Sequence, residues 1–572
     1  CRRAVWKCIA LRHYSDGMLR QSAGIILLAV AALLTSGCTA SPDPSPTPTG
    51  GASASHPIQI VDGGFVDVRT GKPFAVRGTN YFTIVSAGGR LQDRFFSPAV
   101  FDADTVDADF RRLAERGYTT VRLFLDSCSV GPDCISRVGV DGLNPAYLES
   151  IAETMRIAER TGVFLLLTSN DLPDGGEYTG IAYRSDPSEF EGYRNSVFLT
   201  AAGAEAAAAY WDDLLTGLAA LDAPFGSVLA WSIVNEMWVF KEQPPLTLRS
   251  GTLRGADGGS YDMADAGQRR GLVLAGFSHY LDSVAAVIRS HDPDGLVTSG
   301  FFAPQFPNPT STGGDWYVDT APLLGTVDLD FFDFHAYPGG DITLAKLAEN
   351  FGMTATPDVP VVMGEAGAFL HDYRTVESAA LALQHWVAQS CEAGFDGWLH
   401  WGYLRAPVAI GDATWGLVDD DGYLLDVLAP ANWPDPCTPT LADPDIARSG
   451  TATASNSLPD EPPAAAIDGD PGTQWGSGGD APQWLEVHFP ASTVGRVRLN
   501  VAQYPAGRTV HDVAVRTAAG GWTTVAVADG VTADGDLVDV SFTPVDNVVA
   551  VRVTTTVSPS WVSWRAVEVL AE

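Results

Sequence analysis

The chain has 572 residues, which at about 150 residues per domain suits one large domain plus a smaller one. Hydrophobic residues make up 46%, charged residues 18% and aromatics 10%, so there is enough apolar surface to offset the entropy of ordering, and disorder is excluded for the bulk of the chain. Subtracting 69 acidic from 35 basic residues gives a formal charge of -34, which repels nucleic acid phosphates and anionic membrane surfaces and leaves neutral partners such as sugars, or simple solubility, as its meaning.

Residues 1–17 carry no periodic pattern, and Met18 is the expected start of translation. From there MLRQS leads into the apolar run AGIILLAVAALL and then Thr35-Ser36-Gly37-Cys38, the order of a secretory signal. The run is short for a membrane span. Leu34 to Cys38 resembles a bacterial lipobox, with Thr where Leu is usual, which implies acylation of Cys38 and an extracytoplasmic, membrane-anchored protein. The leader is therefore expected over 1–37, followed by a Pro/Ser/Thr-rich tether over 38–56 that cannot pack. Cys128, Cys134, Cys391 and Cys437 remain, an even number in an oxidising compartment. Three pairings are open; the expected one joins Cys128 to Cys134 within one loop and Cys391 to Cys437 at the end of the first domain.

Between residues 57 and 437 short apolar runs alternate with helical patterns, the mark of βαβ units. The runs span 75–82, 119–125, 163–169, 227–234, 296–302, 328–337, 360–367 and 397–403, eight in all, which predicts an α/β fold of the (β/α)8 barrel type. Asn144 is placed to cap a helix that begins at Pro145 and turns Leu148, Ile151, Ala152 and Met155 to one face. In such a barrel functional groups project from the C-terminal ends of the strands. Those ends carry Asn80, Arg122, Asn170, Asn235 with Glu236, His335 with Tyr337, Glu365, and Trp401. No HExxH, Walker, GxGxxG or GxSxG pattern appears in that setting, and no catalytic cofactor is expected.

Glu236 and Glu365 each follow a buried apolar run. Desolvation raises a carboxyl pKa unless a donor or opposite charge compensates, so two carboxylates facing each other can settle into different protonation states. Cleavage of a glycosidic bond needs that division between a proton donor and an ionised partner.

With these strand-end residues in order, the stretch from Ile58 to Cys437 resembles glycoside hydrolase family 5 and its retaining (β/α)8 relatives. The resemblance implies Glu236 as acid/base and Glu365 as nucleophile. It further implies Asn235 on the sugar 2-hydroxyl, Arg122 and Tyr337 on the nucleophile, His335 beside the acid/base, and Trp401 under the reacting sugar. Family members commonly carry His at the end of the third strand, where this chain has Asn170, and that leaves the sugar contacts open. The opening IVDGGFVDVRTGKPFAVRGTNYF and the FHAYP around His335 look like the β-mannanase branch. Trp238, Trp316 and Tyr317 lie in loops that could line outer subsites or pack locally. The long segments 171–201 and 242–268 could wall off one end of a cleft and make the enzyme exo-acting, or a transglycosylase. The reading from another class is a carbohydrate-binding surface lipoprotein without catalysis.

After a linker expected over 438–448, helical periodicity stops, and Val-rich alternation in WLEVHF, VGRVRLNV, DVAVRT, TTVAVA, LVDVSF and VVAVRVTT predicts a smaller all-β sandwich or jelly roll over 449–572. AIDGDPGTQW at 466–475 and the closing SWVSWRAVEV resemble the discoidin, or factor V/VIII type C, family, several members of which bind sugars. The resemblance implies a structural calcium held by Asp468, Asp470, Thr473 and Glu568, with Trp475 in the core. The expected partners are an oligosaccharide or polysaccharide and, through the lipid alone, a membrane; nucleic acid is not among them, and the chain is expected to be a monomer.

Overall fold

The computed structural model describes residues 56–87, 90–174, 177–184, 190, 194–304, 316–337, 343–353, 359–370, 372–373, 375–404, 414–433, 445–468 and 473–571. Cys38 and its leader, the tether, Cys437, Asp470 and the side chains of Cys391 and Trp316 lie outside these residues, and with them the expected lipidation and the second disulfide.

The eight apolar runs form parallel strands of one sheet. They are β1 (Val76–Tyr81), β2 (Thr120–Phe124), β3 (Phe164–Thr168), β4 (Val228–Ser232), β5 (Leu296–Thr298) with β6 (Gly300–Phe302), β7 (Phe332–His335), β8 (Val361–Ala366) and β9 (Gly397–Tyr403). The fifth run is thus divided in two. Starting from β5 the order is β5, β4, β3, β2, β1, β9, β8, β7, β6, all paired in parallel. Since only Ser299 separates the two end strands, the covalent chain itself closes the ring that the sheet leaves open.

The strands are buried on both faces, as expected where helices cover a parallel sheet. Val76, Leu166, Leu229, Phe331, Val362 and Leu399 form a core that is plugged by Ile58 and Phe65 of an N-terminal hairpin. Helices α1 (Ala103–Glu115), α2 (Pro145–Thr161), α3 (Ala201–Ala220), α4 (Ala266–His291), α5 (Leu344–Phe351) and α6 (Val376–Ala393) run between the strands. Helix α2 shows why the sequence signals work. Asn144 caps it through the amide of Ala146, Pro145 sits in its first turn, Gly162 ends it in the left-handed region at φ 81°, and Leu148, Ile151, Ala152 and Met155 are all buried. Cys128 and Cys134 are joined by a disulfide.

The second unit is an antiparallel sheet of long strands, including β10 (Gln483–Val501), β11 (Gly507–Thr517), β12 (Trp522–Thr532), β13 (Leu537–Val557) and β14 (Ser563–Ala571). Alternate valines of β10, β11, β13 and β14 and the fully buried Trp475 and Trp564 make its core. Ala447 belongs to this core as well, and Asp445 accepts from the amide of Val569, so the packing of the second unit begins a few residues ahead of 449. Among the described residues, Thr375 Oγ1 of the barrel unit donates to the Gly535 carbonyl of the second at 3.2 Å, and Arg448 lies 2.6 Å from His385 Nδ1.

Candidate active site

Arg122, on β2 inside the mouth of the barrel, is fully buried, and each of its nitrogens is occupied. Nε donates to Asp333 Oδ2 (3.2 Å), Nη1 to Asn80 Oδ1 and Glu365 Oε1 (both 2.9 Å), and Nη2 to Asn235 Oδ1 (2.8 Å), with His335 Nε2 3.2 Å from Nη2. A guanidinium has five N–H donors in a fixed fork, so one side chain sets the positions of five neighbours from three strands and the loop after β4. Asn80 extends the frame by donating from Nδ2 to the Gly364 carbonyl at 2.8 Å.

Glu236 is held by its backbone. The amide of Asn235 donates to the Ser169 carbonyl (2.7 Å) and that of Met237 to Gly300 (3.0 Å), and a Cβ at Gly300 would fall 1.7 Å from the Asn235 carbonyl oxygen, so the close approach needs glycine. Glu365, on β8, accepts from Arg122 at Oε1 and from the Tyr337 hydroxyl at Oε2 (2.8 Å). His335 Nδ1 lies 3.1 Å from Glu236 Oε1 and 3.4 Å from Glu365 Oε1, and a carboxylate oxygen of each glutamate and a ring nitrogen of His335 all fall within 4.8 Å of one another. The side chain of Glu236 keeps 13% of its exposure against 4% for Glu365, so the first meets solvent and the second does not.

The charges follow from this packing. Burial lifts Glu365 above the ordinary glutamate value, with Glu236 adding to the rise and His335 and Arg122 opposing it. Burial works against a charged His335, but Glu365 and Asp333 outweigh it and push the ring up to about 9. Burial also works to raise Asp333, yet Arg122 and His335 hold it below the usual carboxylate value. Tyr337 is driven well upward by burial and by the Glu365 and Glu236 charges, which keeps its hydroxyl a donor.

Trp401 lies half-buried beside this cluster. Phe82 meets it edge-on at 4.5 Å and Phe124 at 5.9 Å, and Arg122 lies 5.0 Å over the Phe124 ring. The structure therefore brings together Asn80, Arg122, Asn235, Glu236, His335, Tyr337 and Glu365, with Trp401 at their side. Asn170 stands apart. Its backbone amide donates to buried Asp126, which also accepts from Ser169 Oγ at 2.7 Å, and its side chain makes none of the bonds that join the cluster. Trp238 packs locally, edge-on to Phe240 at 4.6 Å and under the Arg194 guanidinium at 4.1 Å, while Tyr317 pairs with Val239.

Sequence reasoning missed Asp333, Phe82 and Phe124. Asp333 precedes His335 by two residues and so shares its face of β7, a parity that could have singled it out.

In the second unit, Thr473 Oγ1 lies 2.9 Å from Asp468 Oδ2 and 3.1 Å from the Ala465 carbonyl, at hydrogen-bond distance of both. Glu568 on β14 lies 3.6 Å from Arg498. Tyr504 and Trp561, 88% and 54% exposed, sit in loops brought together where Gly507 meets Pro559.

Comparison with solved structures finds an endo-1,4-β-mannanase from Rhizomucor miehei at 18% identity, covering 66% of this chain and 98% of its own with a TM-score of 0.46. An exo-β-1,4-mannosidase from Opitutaceae bacterium strain TAV5 is 18% identical over 65% of this chain and 61% of its own, at a TM-score of 0.43. The family 32 carbohydrate-binding module of C. perfringens NanJ, solved with galactose, is 23% identical over 22% of this chain and 96% of its own, at 0.20. No curated protein sequence matches the chain. Residues 451–568 match the F5/8 type C domain, and the antiparallel C-terminal unit is a member of that family.

Proposed function

We propose that the barrel is a retaining glycoside hydrolase acting on a β-linked polysaccharide or oligosaccharide of the mannan or glucan type. The observation that carries this reading is that one carboxylate oxygen of Glu236 and one of Glu365 lie within 4.8 Å of each other, in unequal surroundings. Retaining enzymes hold the pair about 5 to 5.5 Å apart and inverting ones about 6.5 to 9.5 Å, because the latter must fit a water between.

Both oxygens of Glu365 accept from fixed donors, a pattern the ionised carboxylate satisfies in full, which suits it to attack the anomeric carbon. Glu236, nearer solvent, protonates the glycosidic oxygen as that carbon–oxygen bond breaks and the bond to Glu365 forms. Water then attacks the same carbon, gives its proton to Glu236 and releases Glu365. With its Oδ1 taken by Arg122, Asn235 offers its amide NH2 to a sugar hydroxyl, and the Trp401 face suits the C–H face of a pyranose. Asn170 would then contact sugar at the rim or only shape the loop.

The F5/8 type C domain would hold glycan through Tyr504 and Trp561 and raise the local substrate concentration. A structural calcium at Asp468, Asp470, Thr473 and Glu568, export, and anchoring through Cys38 complete the proposal. The test is product release from β-mannan, β-1,4-glucan, β-1,3-glucan and xylan by the wild type and by Glu365→Ala. Turnover of one polymer by the wild type alone is the expected result; binding without turnover of any would overturn it in favour of a non-catalytic glycan-binding protein.

A further inference from the structure

Asp333 stands inside the barrel mouth with no solvent exposure, between Arg122 and His335. Its Oδ2 accepts from Arg122 Nε, and its Oδ1 lies 3.3 Å from His335 Nε2, at ion-pair distance, and takes no hydrogen bond among the described residues. The position is tightly enclosed, since a Cβ at Gly364 on the neighbouring strand would lie 1.6 Å from Oδ1.

Nε2 of His335 therefore meets two groups that make opposite demands. Arg122 Nη2, at 3.2 Å, can only donate, and it is satisfied if Nε2 carries a lone pair and the ring is neutral. Asp333 Oδ1 is a buried anionic oxygen 3.3 Å away, and its charge is compensated if Nε2 carries a proton and the ring is an imidazolium. In both states Nδ1–H points toward Glu236 Oε1, so the choice concerns the charge of the ring and not which way it faces.

We propose that Asp333 is a positioning residue that keeps His335 doubly protonated beside Glu236 and Glu365. An imidazolium there has consequences for both carboxylates. It stabilises the Glu236 carboxylate left behind when the proton goes to the leaving group, and it stabilises ionised Glu365. The groups facing the ring are Glu236 after β4, Glu365 on β8, Arg122 on β2 and Asp333 on its own strand; of these Arg122 opposes the charge and the three carboxylates favour it. With Asp333 neutralised, Arg122 would donate to Nε2 and the ring would give up its charge.

The kinetic arm of the test rests on the proposed glycosidase reaction, while the spectroscopic arm does not. Histidine-selective 15N NMR of the full chain, with His335 assigned by His335→Gln, reads the ring directly. At about pH 7.5 the expected result is a doubly protonated His335 in the wild type and a neutral one in Asp333→Asn. The acid limb of the kcat/KM pH profile, which reads Glu365, should also move up by about 1 unit or more in Asp333→Asn, because that carboxyl loses a neighbouring positive charge. A neutral ring in the wild type, or a charged ring in both proteins, would overturn the proposal. The wild-type spectrum decides even if the variant fails to fold, and an inactive wild type would refute the glycosidase reading while the ring's charge remained measurable.

Discussion

Arg122 and Glu365 stand 243 residues apart in the chain, yet Nη1 of the first donates to Oε1 of the second at 2.9 Å with almost no solvent at either group. Arg122→Lys keeps the charge and loses the fork that also holds Asn80, Asn235 and Asp333. Activity on whichever β-glycan the wild type cleaves should fall on the order of 100-fold or more in kcat/KM. Buried Asp333 would be left without its Nε partner, so calorimetry should show a lower melting temperature as well.

Tyr337→Phe removes a single hydrogen bond, the one to Glu365 Oε2. A bond to a charged group contributes about 1.5 to 3 kcal/mol, so kcat should fall about 10- to 100-fold and the melting temperature should drop with it. The bond favours ionised Glu365 and pulls its pKa down, so its loss must move the acid limb of the pH profile upward. A pH–rate series of both proteins measures this.

Two buried groups give stability opposite pH dependences. His400 Nε2–H donates to the Trp415 carbonyl (2.8 Å), and burial pushes its pKa from 6.5 down to about 4. A depressed folded value contributes stability that is complete above 6.5 and lost as pH falls through 4, so acid should unfold the barrel, and His400→Gln should flatten that slope by up to about 3 kcal/mol. Burial pushes Asp126 from 3.8 up to about 7, against its bonds to Ser169 and Asn170. Its contribution is complete below 3.8 and lost as pH rises through 7, so Asp126→Asn should gain on the wild type between pH 5 and pH 8. Urea unfolding at a series of pH values separates the two.

The Cys128–Cys134 disulfide closes a loop of only six residues in sequence separation, and the chain-entropy estimate for so short a loop is about 2 kcal/mol. Within the loop, Ser129 Oγ accepts from the amide of Asp174, just beyond Asn170. Paired Cys128→Ser and Cys134→Ser substitutions should lower the melting temperature by a few degrees and raise KM more than they lower kcat. Differential scanning calorimetry and initial-rate kinetics read the two effects.

Tyr504→Ala and Trp561→Ala should each weaken binding to insoluble β-glycan about tenfold through lost ring contact. Hydrolysis of a short soluble oligosaccharide should be unchanged, because both rings lie in the second unit. Pull-down on polymer alongside a soluble-substrate assay tests this.

What the sequence made legible was what repeats or terminates a pattern. Apolar runs of strand length returning between helical stretches located the barrel strands, and Glu236 and Glu365 stood out because a carboxylate ends an apolar run in each case. Asp333 escaped because it lies within such a run, in DLDFFDFHAY, where the surrounding aromatics read as ordinary core. Phe82 and Phe124 were equally inconspicuous, since aromatics at strand ends commonly pack. The division of the fifth run at Ser299 has no local signal either; it follows from the need to join the strands on both sides of the closing ring. Asn170 shows the reverse case, a polar residue at a strand end whose backbone, not its side chain, is engaged.

The enclosure of Asp333 by Gly364 also constrains how relatives of this chain can diverge. A carboxylate at 333 and the absence of a side chain at 364 are sterically one requirement spread over two adjacent strands. A larger residue at 364 is tolerable only in a lineage that has already given up Asp333, whereas a lineage that has lost Asp333 can keep glycine indefinitely. The order of the two substitutions is therefore fixed, and a history that runs the other way must pass through a protein whose barrel mouth cannot close around its own charges.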